Sequence, residues 1–393
     1  MVNDLALQRS KYKHLSDDEW RWFLQQVEGR ERTADKLPSF ASIEDWWYPV
    51  RLSCEQCSSE LTARYKASLV SGEKMVDLTG GYGVDTFFLS EHFDHTDYVE
   101  QNAELCRIAE HNFKVQRDDV PSTKKPITVH NCTAEEFLAF LPLPNEAGEG
   151  FSLIFLDPAR RDSHGGKVFK LADCTPNVLE LLPTLIKHLT ENGQIMLKLS
   201  PMLDISQAIK ELYLFNIHWS VYVISVKNEV KEVLLLSTKE QDAINKGRIT
   251  AIDLAEPEKA FVFTREQEQT AHVSPLVGEP EGVPFLYEPN AAILKAGAYK
   301  LPAERFGLQK LDTNTHLYVS DTLVENFPGR IWKTLPIPSL KERVLQKANV
   351  LVRNYPLTAE QLKKKWKLKD GGEDYIIGCR VAGKPTIFYA KRI

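Results

Sequence analysis

The chain has 393 residues, more than one ordinary hydrophobic core accommodates, so two or three domains are expected. Its hydrophobic fraction of 43% and charged fraction of 26% are those of a soluble globular protein. No apolar run reaches the length of about 18 uncharged residues that a membrane-spanning helix needs. The first residues lack a basic-then-apolar secretory layout, so a cytoplasmic location is predicted.

Charge is divided unevenly along the chain. The whole sequence carries 49 Lys and Arg against 54 Asp and Glu, a net charge of −5. Residues 295–393 carry 19 basic against 9 acidic residues, which leaves 30 against 45 for residues 1–294. A basic C-terminal part on an acidic body is typical of a polyanion-binding appendage, although the run Lys363–Lys369 is equally consistent with a solvated lysine-rich face.

The six cysteines do not have the spacing of a disulfide framework. Cys54 and Cys57 form a Cys-x-x-Cys pair, but no second pair of Cys or His ligands follows at the spacing of a zinc finger. Ordinary reduced cysteines are therefore favoured, and no metal site is predicted.

Residues 1–70 have the pattern of a helical N-terminal region. Ser16 followed by three acidic residues is a helix start signal, and Trp20, Phe23 and Leu24 recur at helical spacing. From about 72 to 240, short apolar runs then alternate with helix-length stretches, which predicts a doubly wound parallel sheet of Rossmann-like α/β class.

Two further strands, predicted at 218–226 and 232–236, leave no room for a helix between them. They predict an antiparallel hairpin that closes the sheet. Such a hairpin distinguishes class I methyltransferases, which use S-adenosylmethionine (SAM), from dinucleotide-binding domains. The polar stretch 241–280 is consistent with either an extension of the sheet or a linker.

A glycine turn between the first strand and its helix carries the main cofactor signal. Gly81 and Gly83 allow a sharp turn and a close backbone approach to a ligand. Glu100, at the end of the second strand, is placed to bind ribose hydroxyls. Thr86 replaces the third glycine of a dinucleotide fingerprint, and Asp77 ends the first strand. A carboxylate there suits the cationic amino-acid end of SAM, so SAM is the predicted cofactor.

The fourth predicted strand ends in Asp157-Pro158, at the sheet edge where parallel sheets place active sites. An acid followed by Pro at this point is typical of nucleic-acid methyltransferases, in which it accepts a hydrogen bond from the target group. Ala159 replaces a second proline and no aromatic residue follows for base stacking, so the target atom stays open. Arg160 and Arg161 are predicted to bind substrate phosphate, with a structural ion pair as the alternative.

Further residues are assigned to the same cleft. Thr79 belongs to the glycine turn. Asn131 follows the third strand, where class I methyltransferases usually hold the adenine amino group, so its amide oxygen is predicted to accept a hydrogen bond from that group. Ser59 and Glu60 are placed to contact the methionine end of SAM, with helix capping as the alternative. Lys198 ends the fifth strand and is predicted to wall the substrate side.

With these residues, the chain resembles a family of bacterial class I SAM-dependent methyltransferases with a C-terminal THUMP-like domain. The resemblance spans nearly the whole chain through the segments 56–66, 77–85, 98–102, 156–161, 198–204, 287–290, 352–356 and 370–372. It implies a small ferredoxin-like module at 281–325 and a THUMP-like domain at 326–393, after a catalytic domain at 71–280. THUMP domains elsewhere bind RNA, usually the tRNA acceptor end, so an RNA partner is implied.

The leading hypothesis is therefore SAM-dependent methylation of a tRNA or rRNA nucleotide. One alternative is a methyltransferase that acts on a small molecule or a protein, which the acidic body favours. The other is a non-catalytic RNA-binding protein.

Overall fold

The computed structural model describes residues 9–119, 125–142, 150–160, 170–215, 217–238, 247–276, 282–338 and 345–393. These residues divide into two compact units. The first unit comprises Met1–Trp219 and Leu234–Lys246, and the second comprises Ser220–Val233 and Gly247–Ile393. Among the described residues, no helix is long and apolar enough to cross a membrane.

Helices open the first unit, as predicted. The first begins with a capping box, in which the Ser16 hydroxyl accepts from the Glu19 N–H (3.3 Å) and the Glu19 carboxylate accepts from the Ser16 N–H (2.7 Å). The α-helices of this unit are α1 (Asp17–Thr33), α2 (Pro38–Ala41), α3 (Arg51–Gln56), α4 (Glu60–Ala67), α5 (Val84–Leu89), α6 (Ala103–Asp119), α7 (Ala134–Phe140), α8 (Val178–Lys187) and α9 (Ile205–Tyr213). Short 3₁₀ turns lie at Arg9–Tyr12, Ser90–His92 and Leu171–Asp173.

The unit's parallel sheet contains β1 (Gly72–Asp77), β2 (Phe93–Val99), β3 (Ile127–His130), β4 (Phe151–Leu156) and β5 (Leu189–Leu199). Pairing of neighbouring strands gives the order β5-β4-β1-β2-β3, all parallel. The chain runs outward from β1 on one side and from β4 on the other. A crevice for ligands therefore opens between the carboxyl ends of β1 and β4, where the strand order reverses.

A hairpin follows the parallel strands. Strands β6 (His218–Val226) and β7 (Glu229–Thr238) are joined by Lys227 and Asn228, both with positive φ (51° and 66°), as in a two-residue type I′ turn. Strand β7 lies beside β5, where the Ser237 hydroxyl accepts from the Ile195 N–H (2.7 Å). The predicted class I sheet with its closing antiparallel hairpin is confirmed.

In the second unit the sheet continues past β6. Strand β8 (Arg248–Asp253) pairs in parallel with β6 and antiparallel with β9 (Phe261–Thr264). The described part of the stretch 241–280 thus extends the sheet, which was predicted as an alternative to a linker. A 3₁₀ turn at Pro257–Lys259 and α10 (Arg265–Thr270) flank β9.

The rest of the second unit forms a second sheet, whose buried residues form separate clusters, one of them the core around Trp332. Its longer strands are β10 (Phe285–Pro289), β11 (Gln309–Asp312), β12 (Thr315–Ser320), β13 (Gly329–Leu335), β14 (Asn349–Arg353), β15 (Asp374–Val381) and β16 (Lys384–Arg392), in the order β11-β12-β10-β13-β16-β15-β14. The helices are α11 (Ala291–Ala296), α12 (Leu301–Phe306) and α13 (Ala359–Trp366). Trp332 is completely buried in this core.

Candidate active site

A cavity of about 340 Å³ lies in the first unit at the carboxyl ends of β1, β2 and β4. Its volume falls within the range of about 300–1,000 Å³ that is usual for small-molecule sites. The predicted site residues that line it are Asp77, Thr79, Gly81, Gly83, Glu100 and Asp157. The sheet positions them together because Asp77 pairs with Tyr98 of β2 on one side and with Phe155 of β4 on the other.

The glycine turn forms one wall of this cavity. Gly81 and Gly83 have φ of +56° and +82°, a conformation that favours glycine. At Gly80, an added Cβ would come within 2.1 Å of the Tyr98 ring, so a larger side chain does not fit there. The backbone of the turn therefore approaches the cavity closely.

The turn is anchored from the helical N-terminal region. Tyr82 accepts a hydrogen bond from the indole N–H of Trp46 (2.9 Å), and its own hydroxyl donates to the carbonyl of Trp47 (3.2 Å). Trp46 in turn stacks on Phe40 with ring centroids 4.2 Å apart. The aromatic residues 46–48 thus serve as core that supports the turn.

Glu100 joins the turn to the end of β2. Its carboxylate accepts hydrogen bonds from the backbone N–H of Gly81 (2.9 Å) and of Asn102 (2.7 Å). These two bonds fix the carboxylate at the cavity wall. A carboxylate has about four lone-pair positions, so capacity remains to accept from ligand hydroxyls.

Asp77 lies beneath the turn and is only 1% exposed. It accepts hydrogen bonds from the backbone N–H of Thr79 (2.9 Å) and from the hydroxyl of Thr86 (2.6 Å). Burial raises the pKa of Asp77 from its ordinary value of 3.8 to about 7, with further upward contributions from Asp85 and Asp157, despite these hydrogen bonds. Near neutral pH this carboxyl is therefore ready to ionise next to a bound cation.

Asp157 lies directly after β4, which flanks β1 on the side away from β2 and Glu100. Its backbone N–H donates to the Thr79 hydroxyl (2.6 Å), and its Oδ2 lies 2.5 Å from Nζ of Lys198, at the end of β5. The Asp157 side chain is 40% exposed and that of Lys198 is 11% exposed. The carboxylate thus faces the cavity with the ammonium behind it.

The next predicted residues follow Asp157 along the chain. Pro158 does not line the cavity, whereas Ala159 does. Arg160 pairs through its backbone with Cys174 in a two-residue antiparallel ladder with Thr175 and Ala159. Its side chain, and all of Arg161, lie outside the described residues, so phosphate binding by these arginines stays a prediction.

Three other predicted residues lie away from the cavity wall. The Asn131 amide donates to the carbonyls of Glu100 (2.9 Å) and Gln101 (3.1 Å), which joins the ends of β2 and β3. Ser59 caps α4 by accepting from the backbone of Thr62. The Glu60 carboxylate accepts from the hydroxyl of Ser39 (2.6 Å) and pairs with Arg64, so the structure shows local structural contacts at all three positions. Their predicted contacts with the cofactor stay untested.

A buried ionic cluster at the floor of the cavity was not predicted as a unit. Asp85 pairs with Nζ of Lys66 (3.1 Å) and Nζ of Lys198 (3.2 Å), and accepts from the Ser58 hydroxyl (2.7 Å). Burial raises the pKa of Asp85, but the two ammonium groups outweigh it and lower the pKa to about 2. One signal was present in the sequence, because the periodicity of α4 places Lys66 on the same buried face as Thr62 and Ala63.

Other cavity residues were not among the predicted cofactor or substrate contacts. Cys132 and Glu135 follow β3 near the position predicted to bind adenine, and Leu105 lies in the first turn of α6. The thiol of Cys57 also reaches the cavity and donates to the carbonyl of Cys54 (3.2 Å), as in an ordinary reduced cysteine.

Comparison with known proteins identifies the family. Family models match a ferredoxin-like domain at residues 285–328 and a THUMP domain-like region at residues 338–392. The crystal structure of a candidate methyltransferase from Porphyromonas gingivalis W83 is 32% identical, covers 96% of this chain and 92% of its own, and superposes with a TM-score of 0.82. The chain belongs to the class I methyltransferase family with a C-terminal THUMP-like domain.

Two other solved structures align with less than half of this chain. A methyltransferase-like protein from Streptococcus mutans in complex with S-adenosylhomocysteine is 12% identical, with a TM-score of 0.30 over 46% of this chain and 97% of its own. The tRNA (m1A58) methyltransferase of Aquifex aeolicus is 17% identical, with a TM-score of 0.32 over 47% of this chain and 71% of its own. A comparison with curated proteins found no match.

Proposed function

We propose that this protein is a cytoplasmic SAM-dependent methyltransferase whose substrate is RNA, either tRNA or rRNA. The observation that carries the proposal is the presence in one cavity of a buried carboxylate, a positive-φ glycine turn, a second carboxylate at the end of β2 and the exposed carboxylate of Asp157. The first three groups match the chemistry of SAM and leave Asp157 for a methyl acceptor.

The cofactor side fits the charges and hydroxyls of SAM. Asp77 suits the cationic amino group of its methionine end, because ionisation of a carboxyl with a pKa near 7 is favoured by an adjacent positive charge. Glu100 suits ribose hydroxyls, and the backbone at Gly81 and Gly83 permits close contact. When bound, SAM supplies an electrophilic methyl group, which the protein must align with a nucleophile.

Asp157 is proposed to hold the methyl acceptor. Its position at the carboxyl end of β4 and its exposed carboxylate allow it to accept a hydrogen bond from an incoming donor group. Orientation of the two reactants accounts for about 7–11 kcal/mol of barrier lowering in favourable cases. Arg160 and Arg161 are proposed to bind phosphate beside it.

The RNA substrate is supported by the charge of the C-terminal part. In and just after α13, Lys364, Lys365, Lys367 and Lys369 are exposed. Lys363 differs from them, because its ammonium is engaged by Glu360 (3.0 Å) and Asp370 (2.6 Å). The four exposed lysines are therefore the proposed contacts with the RNA backbone.

A small-molecule or protein substrate is the second candidate, favoured by the acidic balance of residues 1–294. The test that separates the candidates is transfer from methyl-labelled SAM in the presence of total RNA from cells that lack this protein. We expect label that resists protease and is released by ribonuclease. Label that is released only by protease, or that appears only in small molecules, would contradict the RNA proposal.

A further inference from the structure

The ionic cluster at the floor of the cavity forms a continuous chain of alternating charges. From the interior outward, Lys66 contacts Asp85 (3.1 Å), Asp85 contacts Lys198 (3.2 Å), and Lys198 contacts Asp157 (2.5 Å). The exposed fractions of the four side chains rise in the same order, from 0% at Lys66 through 9% and 11% to 40% at Asp157. Only the last carboxylate opens widely to the cavity.

Such a cluster is costly to bury, so its presence calls for a reason. An isolated charge in a protein interior is strongly disfavoured, and even a paired one often gains nothing over apolar residues. Two ammonium groups and two carboxylates balance here, and the Ser58 hydroxyl binds both Asp85 (2.7 Å) and Lys66 (3.1 Å). Ionisable groups whose pKa values are strongly shifted by burial and by neighbouring charges concentrate at functional sites.

The ionic cluster also determines which carboxylate oxygen of Asp157 can contact a methyl acceptor. Lys198 holds Oδ2, while the backbone N–H of Asp157 is bound to Thr79, so the carboxylate has one orientation. Among the described residues, no side chain holds Oδ1. That oxygen is available to an acceptor group in the cavity.

Among the described residues, the walls beside Asp157 offer a flipped base no exposed aromatic ring. They are formed by Ala159, Thr175 and Pro176. The aromatic side chains among the described lining residues are Tyr82 and Phe155, which are only 6% and 1% exposed. Many enzymes that act on a base stack it on aromatic side chains, whereas a ribose needs no such platform.

We propose that the methyl acceptor is a ribose 2′-hydroxyl of RNA, with Asp157 as the proton acceptor and Lys198 as its positioning residue. This inference rests on the proposed RNA methyltransferase function. The hydroxyl oxygen bonds to the methyl carbon, the carbon–sulfur bond breaks with its electron pair left on sulfur, and the hydroxyl proton moves to Oδ1 of Asp157.

The ammonium of Lys198 favours oxygen over nitrogen as the acceptor. A neutral nitrogen becomes positively charged when it is methylated, and a nearby ammonium opposes that charge. A hydroxyl oxygen gains negative charge as its proton leaves, which a fixed ammonium stabilises. Asp157 becomes neutral on taking the proton, and Asp85 remains as an ion-pair partner of Lys198 (3.2 Å).

The first test is alkaline digestion of RNA that the wild-type protein has labelled. Alkali cleaves RNA through attack of the 2′-hydroxyl on the next phosphate, so a methylated 2′-oxygen blocks cleavage and leaves the label in a dinucleotide. We expect the label in dinucleotides. Label in mononucleotides would overturn this inference alone, since RNA would still be the substrate. Absence of label from RNA would overturn the proposed function and this inference with it.

The second test examines Lys198 through variants. We expect Lys198→Met to lower turnover by about 100-fold or more, as for loss of a positioned acid–base group, with the dissociation constant of SAM changed by less than about threefold. Lys198→Arg, which keeps the charge, should recover part of the turnover. The matched control is Lys74→Met, which removes the Lys74–Asp97 pair (3.4 Å) outside the cavity lining.

A merely structural role for Lys198 gives a different pattern. SAM affinity and the melting temperature of Lys198→Met would then fall together with turnover, and Lys198→Arg would recover none of it. That result would overturn the role of Lys198. If Lys198→Met does not fold, Lys198→Arg and the alkaline digestion decide the matter.

Discussion

Three carboxyl groups that line the cavity have very different surroundings. Asp77 is buried and accepts hydrogen bonds from the Thr79 N–H and the Thr86 hydroxyl, and burial raises its pKa to about 7. Asp85 is buried between two lysines, and its pKa falls to about 2. Asp157 is the most exposed of the three and pairs with Lys198. Different environments suit carboxyl groups to different tasks, and the tasks we propose are cofactor binding for Asp77, support for Asp85 and proton acceptance for Asp157.

The raised pKa of Asp77 predicts that SAM affinity depends on pH. Binding to the cationic amino group requires ionised Asp77, so affinity should fall by about tenfold per pH unit as the pH drops below about 7. Titration calorimetry between about pH 5.5 and pH 7.5, below the usual pKa of an α-amino group, measures this change.

Asp77→Asn provides the control, because it keeps the shape of the side chain and removes its titration. The variant should bind SAM more weakly and with little dependence on pH over the same range. An unaltered pH dependence in Asp77→Asn would show that another group is responsible.

At the scale of elements, the glycine turn and α5 connect β1 to the cavity. Gly83 is the N-cap of α5 with φ +82°, and a Cβ there would lie 3.0 Å from the ring of Phe113. Both the backbone conformation and the neighbouring ring therefore restrict this position to glycine. The turn cannot shift without disturbing the Gly81 bond to Glu100.

Gly83→Ala should therefore weaken SAM binding by about tenfold or more, since a left-handed conformation costs about 1–2 kcal/mol for a residue with a Cβ and the contact with Phe113 adds to it. Gly307→Ala is the matched control, because Gly307 also has positive φ (63°) but nothing lies within 4 Å of its added Cβ. The control should lose stability and keep SAM affinity. Equal SAM affinities in the two variants would contradict the role of the turn.

Elements were more predictable from the sequence than side-chain directions. The apolar runs sufficed to predict the sheet, and the lack of room for a helix between β6 and β7 sufficed to predict the hairpin, because strand patterns are local. Asn131 was correctly placed after β3, yet its amide binds the end of β2, a direction that no spacing encodes. The Lys66–Asp85–Lys198 contacts join three elements distant in sequence, so only the folded sheet reveals them.

At the scale of the whole molecule, charge separates an acidic body from a basic C-terminal part. The THUMP-like match at residues 338–392 lies within that basic part. The proposal therefore divides the work along the chain, with chemistry in the first unit and RNA contact through the exposed lysines of α13 and the residues after it. Backbone contacts of this kind are sensitive to salt, because they release counterions.

Replacement of Lys364, Lys365 and Lys367 by Gln should weaken RNA binding and reduce the slope of log affinity against log salt by about one per lost phosphate contact. Lys363→Gln is the control, since Glu360 and Asp370 already neutralise that ammonium. Binding curves at several salt concentrations measure the slopes. A slope equal to that of the wild type would show that these lysines belong to a solvated surface and do not contact RNA.

The most direct test is the SAM dissociation constant of Asp157→Ala measured beside its turnover. Under the proposal that Asp157 holds the methyl acceptor, turnover should fall by about 100-fold or more while SAM affinity stays within about threefold of the wild type. A loss of SAM affinity as large as the loss of turnover would contradict it and place Asp157 on the cofactor side of the cavity.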